Sequence, residues 1–277
     1  WVLVGNYLPG NLVVLDARDL SLVKIIPTIG QDGKASRVSA VYTAPPRDSF
    51  VVALKDVQEV WELSYAGEPD FQPRRIEAKD YLDDFSFTPD YRYLLATSRK
   101  AGGGQVIDLD GGKPVASIEL PGMPHLGSGI YWKRNGQWVF ATPNISTGLI
   151  SVIDLQTWKL IKEIPTPGPG FFMRSHANSP YAWTDVFFGP NNDQVLLIDK
   201  QTLEVAHTLR PMPGKNAAHV EFTHDGRYAL LSVWDRDGAL IVYDSQTLEE
   251  VKRIPMNKPS GKYNVGNKID FAEGTSH

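Results

Sequence analysis

The stretch AAHVEFTHDGRYALLSVWDRDGALIVYDSQTLEEVKRIP, residues 217–255, holds four short apolar runs separated by turn chemistry. The runs are His219–Thr223, Arg227–Val233, Ala239–Asp244 and Glu249–Ile254, each with roughly the alternation of a half-buried strand. Between them stand His224-Asp225-Gly226, Asp235-Arg236-Asp237-Gly238 and Ser245-Gln246-Thr247. Glycine supplies φ > 0, and Asp and Ser bond back to their own backbone, so these segments are hairpin turns. Four hairpin-linked strands form an antiparallel meander of about 40 residues, the size of one β-propeller blade.

The unit recurs. A run ending in an acidic residue, followed by a turn and a second run, appears at Asp16, Glu62, Asp108, Asp154, Asp199 and Asp244, spaced 46, 46, 46, 45 and 45 residues apart. The preceding half repeats as well: Phe87-Thr88-Pro89-Asp90-Tyr91-Arg92-Tyr93 matches Phe222-Thr223-His224-Asp225-Gly226-Arg227-Tyr228. The period predicts an all-β chain, a β-propeller of four-stranded antiparallel blades with about six blades' worth over residues 1–277, read as a single domain. The first blade is short of its first strand and uses Trp1–Gly5, Leu12–Asp16 and Leu22–Ile26. Later blades begin at Val38, Asp84, Gly129, Ser175 and His219, and Lys262–Lys268 reads as one more first strand, able to complete the short blade.

Bulk properties narrow the function. The 277 residues contain no Cys, which excludes disulfides, thiolate metal sites and a thiol nucleophile. No run of 18 apolar residues is present, so no membrane span is expected, and a net charge of −4 argues against nucleic acid as a partner. No signal peptide is visible, and the chain starts inside a strand-like run without Met, which reads as the remainder of a longer protein.

In a propeller, ligands bind at the channel mouth, reached from the loop between the last strand of one blade and the first of the next. Offsets of 17 to 21 residues from the acidic markers pick out Arg37, Asp83, His125, Arg174, His219 and Tyr263, with His176 two residues after Arg174. One reading is a solvated rim. The other is an active site for an acidic ligand, with His125, Arg174, His219 and Tyr263 on one face, and Arg37 and Asp83 near them. His207 and His224 fall at a strand end and a turn, and His277 in a tail. No HExxH, GxSxG, Walker or EF-hand pattern is present, and His125 and His219 are too isolated for a spacing-defined metal site, although a haem needs only one or two axial ligands.

Four segments carry a resemblance: Tyr81-Leu82-Asp83-Asp84 with Tyr91-Arg92-Tyr93; Met123-Pro124-His125-Leu126-Gly127-Ser128-Gly129; Ser232-Val233-Trp234; and Pro259-Ser260-Gly261-Lys262-Tyr263-Asn264-Val265. Over essentially the whole chain they resemble the haem d1 domain of the cytochrome cd1 nitrite reductase family. The resemblance implies an eight-bladed propeller preceded by a c-type cytochrome domain, so that this chain lacks the cytochrome and roughly two blades. Nitrite reductases of the family place two histidines over the distal face of haem d1. One matches His125, but the other falls at Asp83, which speaks against nitrite reduction. At His125, His219 and Tyr263 together the chain is similar to the dihydro-haem d1 dehydrogenases of the family.

That likeness implies oxidation of a propionate of the haem d1 precursor to acrylate, with electrons passed to a haem c held outside this chain. It also implies a periplasmic setting within denitrification, with a tetrapyrrole substrate and, as partners, cytochrome cd1 nitrite reductase and other haem d1 maturation proteins. His125, His219 and Tyr263 are then the catalytic candidates, and one of His125 and His219 the axial iron ligand. Residue type leaves open which is ligand and which is base. Arg37, Asp83, Arg174 and His176 are candidates for holding the tetrapyrrole, the arginines by clamping its carboxylates. A nitrite reductase and a non-catalytic tetrapyrrole carrier are the alternatives.

Overall fold

Hairpin chemistry every 45 or 46 residues produces what the sequence calls for. The computed structural model describes residues 1–100, 102–261 and 273–274. Helix among them is confined to two 3-10 turns, Pro45–Arg47 and Leu126–Ser128. The strands form one three-stranded and five four-stranded antiparallel meanders. The chain falls into two compact units, Trp1–Ile118 and Glu119–His277.

In the first unit the opening sheet is Val2–Asn6, Asn11–Leu15 and Leu22–Pro27. The second runs Val38–Ala44, Ser49–Leu54, Glu59–Ser64 and Pro73–Glu77, and the third Phe85–Phe87, Tyr93–Thr97, Gly104–Asp108 and Lys113–Ile118. In the second unit the fourth sheet is Ile130–Arg134, Gln137–Pro143, Leu149–Asp154 and Leu160–Pro165. The fifth is Met173–Arg174, Tyr181–Asp185, Val195–Asp199 and Val205–Leu209, and the sixth Ala217–Phe222, Tyr228–Val233, Gly238–Asp244 and Glu250–Met256.

One boundary moves. The first strand of the fifth sheet, expected at Ser175–Ala177, is Met173–Arg174 instead. Ser175 turns its hydroxyl to the Tyr181 carbonyl at 2.7 Å, and the Ser179 N–H bonds the His176 carbonyl at 3.0 Å. These local bonds replace a ladder and make a turn where a strand was expected. The strand expected at Lys262–Lys268 lies outside the described residues.

The acidic markers have a mechanical role. Oδ1 of Asp154 accepts the N–H groups of Gln156 and Thr157 at 3.0 and 2.7 Å, and Asp199 and Asp244 repeat the arrangement. Asp108 does the same for Asp110 and Gly111. Four residues after each marker, Leu20, Gly112, Trp158, Leu203 and Leu248 stand in the left-handed region with φ between 59° and 65°, each donating its N–H to the marker's carbonyl. The ladder slips by one residue beside each of these turns. Glu62 departs from the pattern: it lies inside its strand and pairs with Arg47 and Arg74 at 2.7 and 2.8 Å.

In the sixth sheet the first strand, Ala217–Phe222, is buried on both faces and the last, Glu250–Met256, is largely exposed. Each core forms between neighbouring sheets. Leu12, Val14, Val38, Val52 and Trp61 join the first two sheets, and Trp183, Leu197, Phe222, Leu231 and Ile241 join the fifth and sixth. Burying side chains of this size contributes about 1.5–3 kcal/mol each.

Candidate functional site

The residues picked by their offset stand at the start of a sheet. Arg37 and Asp83 precede the first strands of the second and third sheets, His125 precedes that of the fourth, and Arg174 and His219 lie in those of the fifth and sixth. Tyr263 lies outside the described residues.

His125 caps the 3-10 turn Leu126–Ser128. Its backbone N–H bonds the Pro143 carbonyl at 2.9 Å, which ties the loop to the fourth sheet. The next residue, Asn144, is buried, and its side-chain oxygen accepts the N–H groups of Met123, Ser146 and Thr147 at 3.1, 3.0 and 3.0 Å. Gly129 closes the loop where a Cβ would strike the Phe140 ring and meet the Ala141 carbonyl at 2.9 Å. The His125 ring lies on Phe171 with centroids 4.3 Å apart, and its Nδ1 is 2.8 Å from the Phe171 carbonyl oxygen. A carbonyl only accepts, so Nδ1 carries a proton and the lone pair of the neutral ring sits on Nε2. That is the nitrogen able to take a proton or ligate iron.

His219 sits in a bulge: the ladder between the first two strands of the sixth sheet slips between Ala218 and Glu221. Its φ of +58° is unusual for a residue with a Cβ, and its side chain is buried. The ring meets Phe172 edge-on with centroids 4.7 Å apart. Phe171 and Phe172 touch at 4.7 Å, so two consecutive phenylalanines bridge the two histidines. Phe187, Phe188 and Trp234 extend this surface: Phe187 lies 5.2 Å from Phe171, 4.8 Å from Phe188 and 5.3 Å from Trp234. All five are half-buried or exposed. A partly exposed aromatic shelf between two imidazoles suits a flat macrocycle, since each ring pair adds about 0.5–1.5 kcal/mol beyond burial.

The other candidates are engaged within the chain. Arg174 is buried, with Nε 3.2 Å from Oε2 of buried Glu221. Both ring nitrogens of His176 are used: Nε2 bonds the His224 carbonyl at 3.1 Å, and Nδ1 accepts the Asn178 N–H at 3.1 Å. A Cβ at Gly226 would strike that ring, so the turn and the histidine fit each other. In the first unit Arg37 pairs with Asp56 at 2.7 Å and lies over the Tyr7 ring. Asp83 sits between Lys55 at 2.5 Å and Arg99 at 2.9 Å. Burial would raise the Asp83 carboxyl, but the bonds from Lys55 and Arg99 outweigh it and hold it below the usual carboxylate range. Among the described residues no three His, Cys, Asp or Glu come together as a metal-holding group.

Sequence reasoning missed Asp185 and the aromatic shelf. Asp185 ends the strand Tyr181–Asp185 and is buried. Its Oδ1 accepts the N–H groups of Phe171 and Phe172 at 2.7 and 3.1 Å. Burial pushes its carboxyl up to about 7 against these donors. The signal available in the sequence was the pair of Phe-Phe doublets, Phe171-Phe172 and Phe187-Phe188, both in loops.

Comparison with known proteins identifies the family. The chain is 76% identical over its 277 residues to the dihydro-heme d1 dehydrogenase of Pseudomonas aeruginosa, covering 56% of that protein. It is 33% identical to Protein NirF of Stutzerimonas stutzeri over 94% of this chain and 68% of that protein. It is 23% identical to the nitrite reductase of the same organism, over 98% of this chain and 55% of that protein. Among solved structures, dihydro-heme d1 dehydrogenase NirN in complex with DHE superposes with a TM-score of 0.95 at 76% identity, over 97% of this chain and 58% of that one. Kuenenia stuttgartiensis hydrazine synthase shares the fold alone, with a TM-score of 0.63 at 15% identity over 80% of this chain and 68% of that one. The chain thus spans little more than half the length of the dehydrogenase. The family model described as "Cytochrome D1 heme domain" matches residues 1–268. The blades and this match make the chain a β-propeller of the cytochrome D1 heme domain family.

Proposed function

We propose that the chain is the tetrapyrrole-binding part of a dihydro-haem d1 dehydrogenase, which oxidises a propionate side chain of the haem d1 precursor to acrylate. The observation that carries this reading is the placement of His125 and His219 on one Phe171–Phe172 bridge, in a chain 76% identical to a protein of that activity.

Converting –CH2–CH2–COO⁻ to –CH=CH–COO⁻ removes two protons and two electrons. An imidazole held beside the side chain takes a proton, and the lone pair on Nε2 of His125 and the ring of His219 are the candidates. The aromatic shelf stacks the macrocycle and keeps water from its face. The electrons pass to an acceptor outside this chain, for which the family resemblance implies a haem c; with no Cys, these residues could not attach that haem by thioether bonds. The same resemblance supports a periplasmic setting among haem d1 maturation proteins, with cytochrome cd1 nitrite reductase as a candidate partner. Among the described residues no helix is long and apolar enough to cross a membrane.

The test mixes full-length protein with dihydro-haem d1 and follows the appearance of the haem d1 spectrum. Parental protein converts the precursor. His219→Ala lowers single-turnover conversion by roughly 10²–10⁴-fold while tetrapyrrole binding changes little, because binding is spread over the macrocycle and its carboxylates. Tyr263→Phe impairs conversion more than binding as well. If both variants convert bound precursor at the parental rate, the site is misassigned. If parental protein binds the precursor without converting it, the chain is a carrier.

A further inference from the structure

We propose that Asp185 is the positioning residue that holds both candidate catalytic histidines in register, acting through backbone N–H groups. The proposal rests on the reading of His125 and His219 given above.

The connection can be traced bond by bond. His125 donates Nδ1–H to the Phe171 carbonyl, and the N–H of the same Phe171 donates to Oδ1 of Asp185 at 2.7 Å. Phe172, whose ring meets His219 edge-on with centroids 4.7 Å apart, donates to the same oxygen at 3.1 Å. One carboxylate therefore gathers the loop that orients the His125 ring and the ring that touches His219. His219 stands in a bulge at φ +58°, a conformation that persists only where its surroundings determine it, and the Phe172 ring fixed by Asp185 is part of those surroundings.

The fold itself does not ask for a carboxylate at this place. The last residue of the second strand is Leu54, Thr97, Pro143 and Val233 in the other four-stranded sheets. None of these is ionisable, and a buried carboxylate is costly. Asp185 is 2% exposed, and its Oδ2 has no hydrogen-bond partner. A group this expensive, found in one sheet and bonded to the Phe171–Phe172 pair that lies between the two histidines, is explained by the geometry it imposes on the site.

The test compares Asp185→Ala, which removes the acceptor, with Asp185→Asn, which keeps an oxygen in its place. In 15N-histidine-labelled full-length protein without tetrapyrrole, Asp185→Ala shifts the ring signals of His125 and His219 and leaves those of His207 and His224 in place. With dihydro-haem d1 it lowers single-turnover conversion by about 10²-fold, as expected when reacting groups are displaced by an ångström, while precursor affinity stays near the parental value. Asp185→Asn restores most of the rate and returns both signals toward their parental positions. Unchanged His125 and His219 signals in a folded Asp185→Ala, or equal impairment of the two variants, overturns the proposal. Should Asp185→Ala not fold, amide exchange on the parental protein decides: the N–H groups of Phe171 and Phe172 exchange as one protected set, and separate, rapid exchange of the two overturns it. If parental protein does not convert the precursor, the functional reading fails while the ring signals and amide exchange still decide the role of Asp185.

Discussion

Arg174 shows how much a single side chain depends on its partner. Its residue type and place suit a clamp for a ligand carboxylate, yet within the chain its guanidinium already meets Glu221, and the two side chains are 7% and 6% exposed. Glu221 also accepts the Phe222 N–H at 2.9 Å, which fixes the carboxylate in the first strand of the sixth sheet. Truncating one member of a buried ion pair leaves the other charge without its partner, a loss of about 3–5 kcal/mol. Arg174→Ala is therefore expected to reduce stability by that order in urea unfolding. A double variant that also replaces Glu221 with Gln recovers part of the loss. A stability change within about 0.5 kcal/mol, the usual size for surface substitutions, would show that the pair does not contribute to the fold. The offset from Asp154 identified the place of Arg174, but its partner comes from 47 residues away and is absent from any local pattern.

Among the elements, the turn after each acidic marker is where sequence and structure agree most closely. A short carboxylate reaches the N–H groups two and three residues on, and this fixes the turn and the slip in register beside it. The fourth residue must then take positive φ, a conformation that costs an ordinary side chain about 1–2 kcal/mol. Gly112 meets the requirement without strain, whereas Leu20 and Leu203 bear it at φ 61° and 60°. Their surroundings differ: Leu20 is 62% exposed and Leu203 is 3% exposed. Leu20→Gly is expected to stabilise the protein by about 0.5–1 kcal/mol, relief of strain exceeding the added chain entropy. Leu203→Gly is expected to destabilise it by about 2–4 kcal/mol through the cavity it leaves. Thermal melts of the two variants check both signs, and equal shifts would contradict the account.

For the molecule as a whole, stability against acid rests partly on carboxylates held in their charged form. In the unit Trp1–Ile118, burial would raise the Glu62 carboxyl, but Arg47 and Arg74, with the Ser49 hydroxyl, outweigh it and lower its pKa from 4.5. A depressed folded-state pKa contributes stability that is present above the unfolded value and lost as pH falls through the folded one. Glu62→Gln is therefore expected to be less stable than the parental protein at pH 7 by about 1.5–3 kcal/mol, the size of hydrogen bonds to a charged group. The difference shrinks as pH drops below about 4.5, where unfolded Glu binds its proton. Urea unfolding of both proteins from pH 7 to pH 3 measures it, and a difference independent of pH would place the effect in packing.

The blades were legible in the sequence because their causes are local. Alternation of period two, a carboxylate in reach of the next few N–H groups, and a 45- or 46-residue repeat each act within one meander, so strand order and most boundaries follow from them. The same repeat placed Arg37, Asp83, His125, Arg174 and His219 at the starts of successive sheets. What those residues touch was decided by tertiary structure. His125 reaches Phe171 across 46 residues, and Phe172 meets His219 across 47. Those distances close only when one sheet lies against the next, and the same packing sets the Phe171–Phe172 pair, held by the carboxylate of Asp185, between the two histidines. Local chemistry thus determined the blades and the positions at which they begin, while side-chain partnership between blades, which no short window of sequence encodes, determined which of those positions form a site.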